Sequence, residues 1–197
     1  MDKSSKKYNS LAGKFLIASP SISDTRFSKC LIYMVSDNED GSMGVIVNKP
    51  ALNLTIDSIF ENIHKEGISM ACQPTIYYGG PVDLDKGFII HSNDYISKEE
   101  TTKIENNLLL SNNMEILKDI VSGKGPSQSI LAIGYAGWYS YQLEDELKNN
   151  TWIEAELGVD MLFSKDTSDK WKKALLSVGI KKNNIKNSNF SPFSGSA

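Results

Sequence analysis

The chain has 197 residues, 40% of them hydrophobic and 23% charged, with a net charge of −3. That is long enough to bury a sizeable core and fits one globular domain, with no linker to support a second. Arg26 is the sole arginine among 21 basic residues. An acidic, arginine-poor chain lacks the bidentate guanidinium groups that direct DNA reading uses, so direct nucleic-acid binding is disfavoured.

From the N-terminus, "MDKSSKKYNSLAGKF" carries basic residues but no apolar h-region, so no secretory signal is expected there. Residues 1–12 are expected to be flexible. "KFLIAS" (Lys14–Ser19) and "KCLIYMVSD" (Lys29–Asp37) are β-type runs, and "SMGVIVNKP" (Ser42–Pro50) is a third. "NEDG" between the last two predicts a hairpin with a loop of three to five residues. Asp37, Glu39 and Asp40 there are expected to form a solvated acidic turn, since they lack calcium-loop spacing. Cys30 lies in an apolar run and is expected to be a buried thiol.

In "LTIDSIFENIHKEG", Ile56, Ile59, Phe60 and Ile63 recur at helical spacing, with Thr55 or Asn53 as cap and Gly67 as stop. "TIYYGGPVDLDKGFIIHS" (Thr75–Ser92) predicts strand, glycine turn, strand. "SKEE" (Ser97–Glu100) matches a capping box and predicts a short helix. "NMEILKDIVSGKGP" (Asn113–Pro126) is a firmer helix closed by Gly123. "SILAIGYA" (Ser129–Ala136) is a strand, "SYQLEDELKNN" (Ser140–Asn150) a helix with a Glu144–Lys148 pair, and "TWIEAEL" extended. "DTSDKWKKALLSVGI" (Asp166–Ile180) is a last helix, its inward face Trp171, Ala174, Leu175 and Val178. Residues 13–180 thus form one α+β domain with a mixed, largely antiparallel sheet. Residues 181–197 are a polar tail, Asn/Ser-rich and loosely packed. No run reaches the ~18 apolar residues a membrane span needs. With two cysteines outside any CxxC, the chain is expected in the reducing cytoplasm.

Chemistry-bearing patterns are sparse. "AIGYAGWYSYQLEDEL" is neither a dinucleotide fingerprint nor a phosphate loop, because Gly134 and Gly137 have the wrong spacing and no Gly-Lys-Ser/Thr follows. It predicts a strand-to-helix corner at Gly137, with Trp138 anchoring the sheet to the next helix. A weaker reading makes that corner an anion site on helix amides. Ser140 is not in a nucleophile elbow, and no histidine follows it, which rules out the hydrolase triad order. His64 and His91 sit at no metal-ligand spacing. No cofactor or metal is expected. Tyr77, Tyr78, Tyr135, Trp138, Tyr139 and Tyr141 concentrate aromatic rings near both glycine turns, as core packing or as the lining of a ligand or partner groove.

Three ordered blocks, "FLIASPSISDTRFSKCLIYMVSDNEDGSMGVIVNKP", "YYGGPVDLDKGFIIHS" and "LAIGYAGWYSYQLEDELKNNTWIEAE", together resemble the AlgH/YqgE family of bacterial proteins. The resemblance covers about Gly13 to Ile180. It implies an α+β fold whose mainly antiparallel, bifurcated sheet curls into a pseudo-barrel with flanking helices. The family is largely uncharacterised. Its label, transcriptional regulator, stems from genetics of one branch and not from a DNA-binding motif. The family's motif positions are Asp24, Phe27, Gly41, Met43, Gly44, Asn48, Pro50, Gly79 to Pro81, Gly87, His91, Gly134, Tyr135, Trp138, Gln142, Leu143, Glu144, Glu146 and Trp152. Two departures stand out: Ser36-Asp37-Asn38 replaces a common Glu-His-Asn, and the chain ends Gly195-Ser196-Ala197 in place of Gly-His-Ala.

The resulting expectation is a non-enzymatic binding or regulatory module with a protein or small-molecule partner. The alternative is a small-molecule binder or enzyme with a pocket near the two glycine turns. The binding residues expected are Asn48, Gly79, Gly80, Pro81, His91, Tyr135, Trp138, Gln142 and Glu144.

Overall fold

The computed structural model describes residues 8–59, 71–97, 99 and 101–180. The later part of the expected first helix, with His64 and Gly67, and the C-terminal tail lie outside the described residues.

Among the described residues nine strands form one curled sheet. They are β1 (Phe15–Ala18), β2 (Leu31–Asn38), β3 (Gly41–Ile46), β4 (Ile76–Tyr78), β5 (Val82–Ser92), β6 (Thr102–Ile104), β7 (Leu108–Ser111), β8 (Ser129–Tyr139) and β9 (Trp152–Ala155). Their order is β6-β7-β5-β8-β3-β2-β1-β9, antiparallel throughout, with β4 added parallel to β8. The α-helices among the described residues are α1 (Ile56–Ile59), α2 (Met114–Val121), α3 (Gln142–Lys148), α4 (Val159–Phe163) and α5 (Lys170–Ser177). The fold is therefore α+β, a half-barrel of mainly antiparallel strands with few helices.

The sheet forks at β8. Over Ala136–Tyr139, β8 pairs with β3; over Leu131–Ile133, β4 takes that place while β5 keeps the other edge. The expected strand–turn–strand at 75–92 is thus not a hairpin, because β4 and β5 flank opposite edges of β8. Strand alternation sends side chains to two apolar faces. Phe15, Ile17, Tyr33, Val45 and Val47 pack on one face against Leu162 of α4 and Trp171, Ala174 and Leu175 of α5. Leu16, Ile32, Met34, Ile46 and Trp138 pack on the other beneath Leu143 of α3. A third cluster lies between Ile89 and Leu131 of the sheet and the apolar stripe Ile116, Leu117, Ile120 and Val121 of α2.

Several local expectations shift. The β2–β3 turn is tighter than predicted: Asn38 pairs with Gly41, leaving Glu39 and Asp40 as a two-residue turn in which the Asn38 side chain accepts from the Asp40 amide at 2.9 Å. Thr55 caps α1 as expected, its hydroxyl accepting from the Ser58 amide at 3.2 Å. No helix forms at Ser97, whose hydroxyl accepts from Glu99 N at 3.1 Å (Lys98 and Glu100 lie outside the described residues), and the edge strand β6 follows. β8 runs through Gly137 to Tyr139, so the corner falls at Ser140–Tyr141. Lys148 pairs with Asp145 at 2.8 Å rather than with Glu144. α5 begins only at Lys170, and Val178 is 36% exposed instead of inward.

Candidate groove at the mouth of the half-barrel

The tight β2–β3 turn and the end of β8 frame an open groove of about 510 Å³. Its strand floor follows from register. A bulge between Met34 and Ser36 sets Ser36 opposite Met43, and Met43 lies opposite Gly137. Tyr135, Gly137 and Tyr139 alternate onto the same face of β8. Met43, Val82, Tyr135 and Tyr139 supply apolar and aromatic wall, while Ser36, Asn38 and Asp40 supply polar groups. A second open depression of about 560 Å³ adjoins it, sharing Ser36 and Asn38 and reaching the Asn106–Asn107 turn.

Asp37 holds this rim in place and corrects the expectation of a fully solvated acidic turn. It is only 8% exposed, and its carboxylate accepts from Leu11 N at 2.7 Å, Tyr8 Oη at 2.8 Å and Ser42 Oγ at 2.5 Å. The Tyr8 hydroxyl is pushed above its ordinary range, first by burial and then by the Asp37 and Glu144 carboxylates. Glu39 and Asp40 do remain exposed. The turn is tied to the end of β8 by Ser140 Oγ, which donates to Glu39 O at 2.6 Å.

Gly79 and Gly80 meet Gly134 and Tyr135 where the sheet forks. Gly134 sits at φ +69°, where side chains are strained, and a Cβ there would lie 2.5 Å from Gly80 O. A Cβ on Gly80 would collide with the Tyr135 backbone. The two glycine turns therefore do converge, and each fills the other's space with backbone. Pro81 leads from this contact into β5.

Trp138 is 7% exposed, on the sheet face opposite the groove floor, against Trp152 at 5.8 Å between ring centroids. Glu146 joins the two rings. Its Oε2 accepts from Trp138 Nε1 at 2.9 Å and Trp152 Nε1 at 2.6 Å, and its Oε1 from Gln142 Nε2 at 2.9 Å. Gln142 Oε1 accepts from the Tyr139 amide at 3.1 Å, so Gln142 closes the corner where Tyr141 takes φ 62°. α3 has seven residues, and Tyr141 at its start provides no side-chain cap. Three acids, Glu144 to Glu146, crowd its first turns, which argues against the anion reading.

The remaining expected site residues lie elsewhere. His91 is fully buried. Nδ1 lies 2.9 Å from Ser92 O, which can only accept, so Nδ1 carries the proton and Nε2, 3.0 Å from Ser111 Oγ, accepts from that hydroxyl. Burial holds its pKa below the ordinary histidine range. His91 pairs with Ser129, at the far end of β8 from Trp138, about 30 Å along the strand by rise per residue. Asn48 stitches the chain to itself: Oδ1 accepts from Leu31 N and Nδ2 donates to Lys29 O, both at 2.8 Å. The structure thus brings Tyr135 to the groove, Trp138 to the opposite, buried face of β8, Gly79, Gly80 and Pro81 to the fork, and Gln142 and Glu144 to α3. His91 and Asn48 stand apart.

Two features escaped sequence reasoning. Met43 and Val82 line the groove beside Tyr135 and Tyr139, and that shared face was readable only with the register of β3 and β5 against β8. Lys170 is fully buried, its Nζ donating to Val47 O at 3.0 Å and Leu162 O at 2.7 Å beside the Tyr77 ring. Burial pushes its pKa from 10.5 down to about 8, with Asp166 opposing. A lysine in "DKWKK" gives no signal of this. Cys30 is buried as expected, and burial raises its thiol to about 11. Among the described residues no His, Cys, Asp and Glu side chains gather at metal-binding geometry.

These features define a curled α+β half-barrel with a forked sheet and an open groove at its mouth, with His91, Cys30 and Lys170 engaged in internal contacts. The chain belongs to the AlgH-like family, whose model matches residues 15–183. It is 37% identical to a UPF0301 protein of Afipia carboxidovorans over 90% of this chain and 88% of that one. It is 38% identical to a UPF0301 protein of Ruegeria pomeroyi over 86% and 92%. The solution structure of AlgH from Pseudomonas aeruginosa is similar with a TM-score of 0.71 and 32% identity, covering 92% of this chain and 94% of that one. A Corynebacterium diphtheriae protein, 19% identical at a TM-score of 0.65, shares the fold.

Proposed function

We propose that the chain is a binding or regulatory module without chemistry of its own, and that its partner or ligand occupies the groove between the β2–β3 turn and the end of β8. The observation that carries this reading is the groove itself: Met43, Val82, Tyr135 and Tyr139 present open apolar and aromatic surface, the composition favoured where proteins hold ligands or partners. His91, Cys30 and Lys170 are by contrast buried. The glycine turns support the pocket alternative less well, since each packs on the other's backbone. An acidic, arginine-poor chain favours regulation through a partner over direct DNA contact. No described helix is long and apolar enough to cross a membrane, and a cytoplasmic location fits this reading.

The test is amide-shift mapping of the isotope-labelled chain against a fragment library. Shifts should cluster at Met43, Tyr135, Gly137 and Tyr139. Clustering at Gly79 and Gly134 would favour the alternative, and scattered shifts would remove both. Duplex DNA should give no salt-dependent gel shift at low salt.

A further inference from the structure

The groove's outer rim carries features that its floor does not explain. Tyr139 is 87% exposed and Tyr141 68% exposed, large amphipathic rings left in solvent on either side of Ser140. Tyr141 itself takes a left-handed backbone at φ 62°. Bulky residues seldom adopt that conformation, and such strain clusters at ligand clamps and switch regions. The second feature is charge. Glu39 and Asp40 form the turn beside these rings, Asp40 lines the groove, and the bond from Ser140 to Glu39 fixes turn and rings together. Among the described residues neither Glu39 nor Asp40 has an ion pair. Of the nearby cations, Lys86 pairs with Asp83 at 2.7 Å and Lys148 with Asp145 at 2.8 Å.

We propose that the groove and this tyrosine–carboxylate rim dock a lysine- or arginine-bearing segment of a partner protein. The inference rests on the groove-binding reading above and names its partner class. An anionic ligand would meet Glu39 and Asp40 as like charges. A wholly apolar one would cover those carboxylates without pairing them, which is unfavourable. A cationic side chain satisfies both features, because its charge pairs with the carboxylates and its head or stem lies on aromatic faces.

The experiment is selection from a random dodecapeptide library displayed on phage against the full-length chain, followed by fluorescence anisotropy on the best synthetic peptide. Lysine and arginine should be enriched about threefold over the input library. Binding should weaken roughly tenfold between 50 mM and 500 mM salt, as expected of exposed charges. Tyr139→Ala should weaken it about tenfold, as for an aromatic anchor, and the double change Glu39→Gln with Asp40→Asn about fivefold, most visibly at low salt. Gly137→Val, which fills the groove floor beside Tyr135, should abolish it; melting curves establish that each variant is folded. Tyr139→Ala, altering an exposed side chain, serves as the groove probe if the valine variant unfolds. Neutral or acidic peptides that lose binding on Gly137→Val would overturn the cationic partner and leave the groove reading standing. Cationic peptides indifferent to both Tyr139→Ala and Gly137→Val, or a library without any groove-dependent binder, would overturn both.

Discussion

Replacing Glu146 by alanine tests whether one half-buried carboxylate joins the sheet to α3. Its two oxygens accept three hydrogen bonds, two from indole nitrogens whose rings are 7% and 3% exposed. Hydrogen bonds to a charged group contribute about 1.5–3 kcal/mol each, and a buried donor left without a partner costs about 1–3 kcal/mol. Glu146 is partly solvated, so water can reach one indole after truncation. The expected loss is therefore about 2–4 kcal/mol, below the sum of the two bonds. For a chain of this size that lowers the melting midpoint by roughly 4–16 °C. Glu146→Gln should cost about 1 kcal/mol, since an amide oxygen still accepts from the indoles while its NH2 faces the Gln142 NH2. Urea unfolding followed by tryptophan fluorescence measures both. A stability change below about 0.5 kcal/mol for Glu146→Ala, the range of an ordinary surface substitution, would refute the account. So would equal losses for alanine and glutamine.

Gly80→Ala should destabilise by more than about 1 kcal/mol, because the new Cβ meets the Tyr135 backbone rather than a yielding side chain; thermal melts check this. His91 should titrate below 6.5 in the folded chain, following the direction set by burial. Its contribution is then present above pH 6.5 and is lost as pH falls through the folded value, because only the unfolded chain binds the proton readily. NMR of the two imidazoles, with His64→Gln for assignment, would contradict this if His91 titrated at or above 6.5. Lys170 is likewise a base that burial keeps from protonating, and the sign is the same: between about pH 8 and 10.5 the unfolded chain keeps a proton that the native chain has released. Native stability should therefore rise with pH by up to ~3 kcal/mol relative to a Lys170→Met variant, at 1.36 kcal/mol per unit. Parallel stability curves for the two proteins would show that Lys170 is not desolvated.

What the sequence determined by itself was local or periodic. The apolar runs of β1 and β2, the stripe of α2, and the apolar face of α5 apart from Val178 are written in neighbouring residues. Short-range chemistry decides such elements, and it decided them here. Three blocks of motif likewise sufficed to place the chain in its family. The fork in the sheet was beyond that reach, because nothing near Gly134 says that β4 replaces β3 beside β8 at that point. The site followed the same division. Tyr135 and Trp138 stood out as aromatic residues near glycines, yet whether each faces the groove or the core depends on strand register, and one residue of slip would exchange them. Asp37 looked like surface charge because its burial is created by Leu11 and Tyr8, far earlier in the chain. Lys170 looked ordinary because its partners are backbone carbonyls, which no side-chain pattern announces. Tertiary structure alone decided these cases, since each depends on which distant backbone arrives beside the residue.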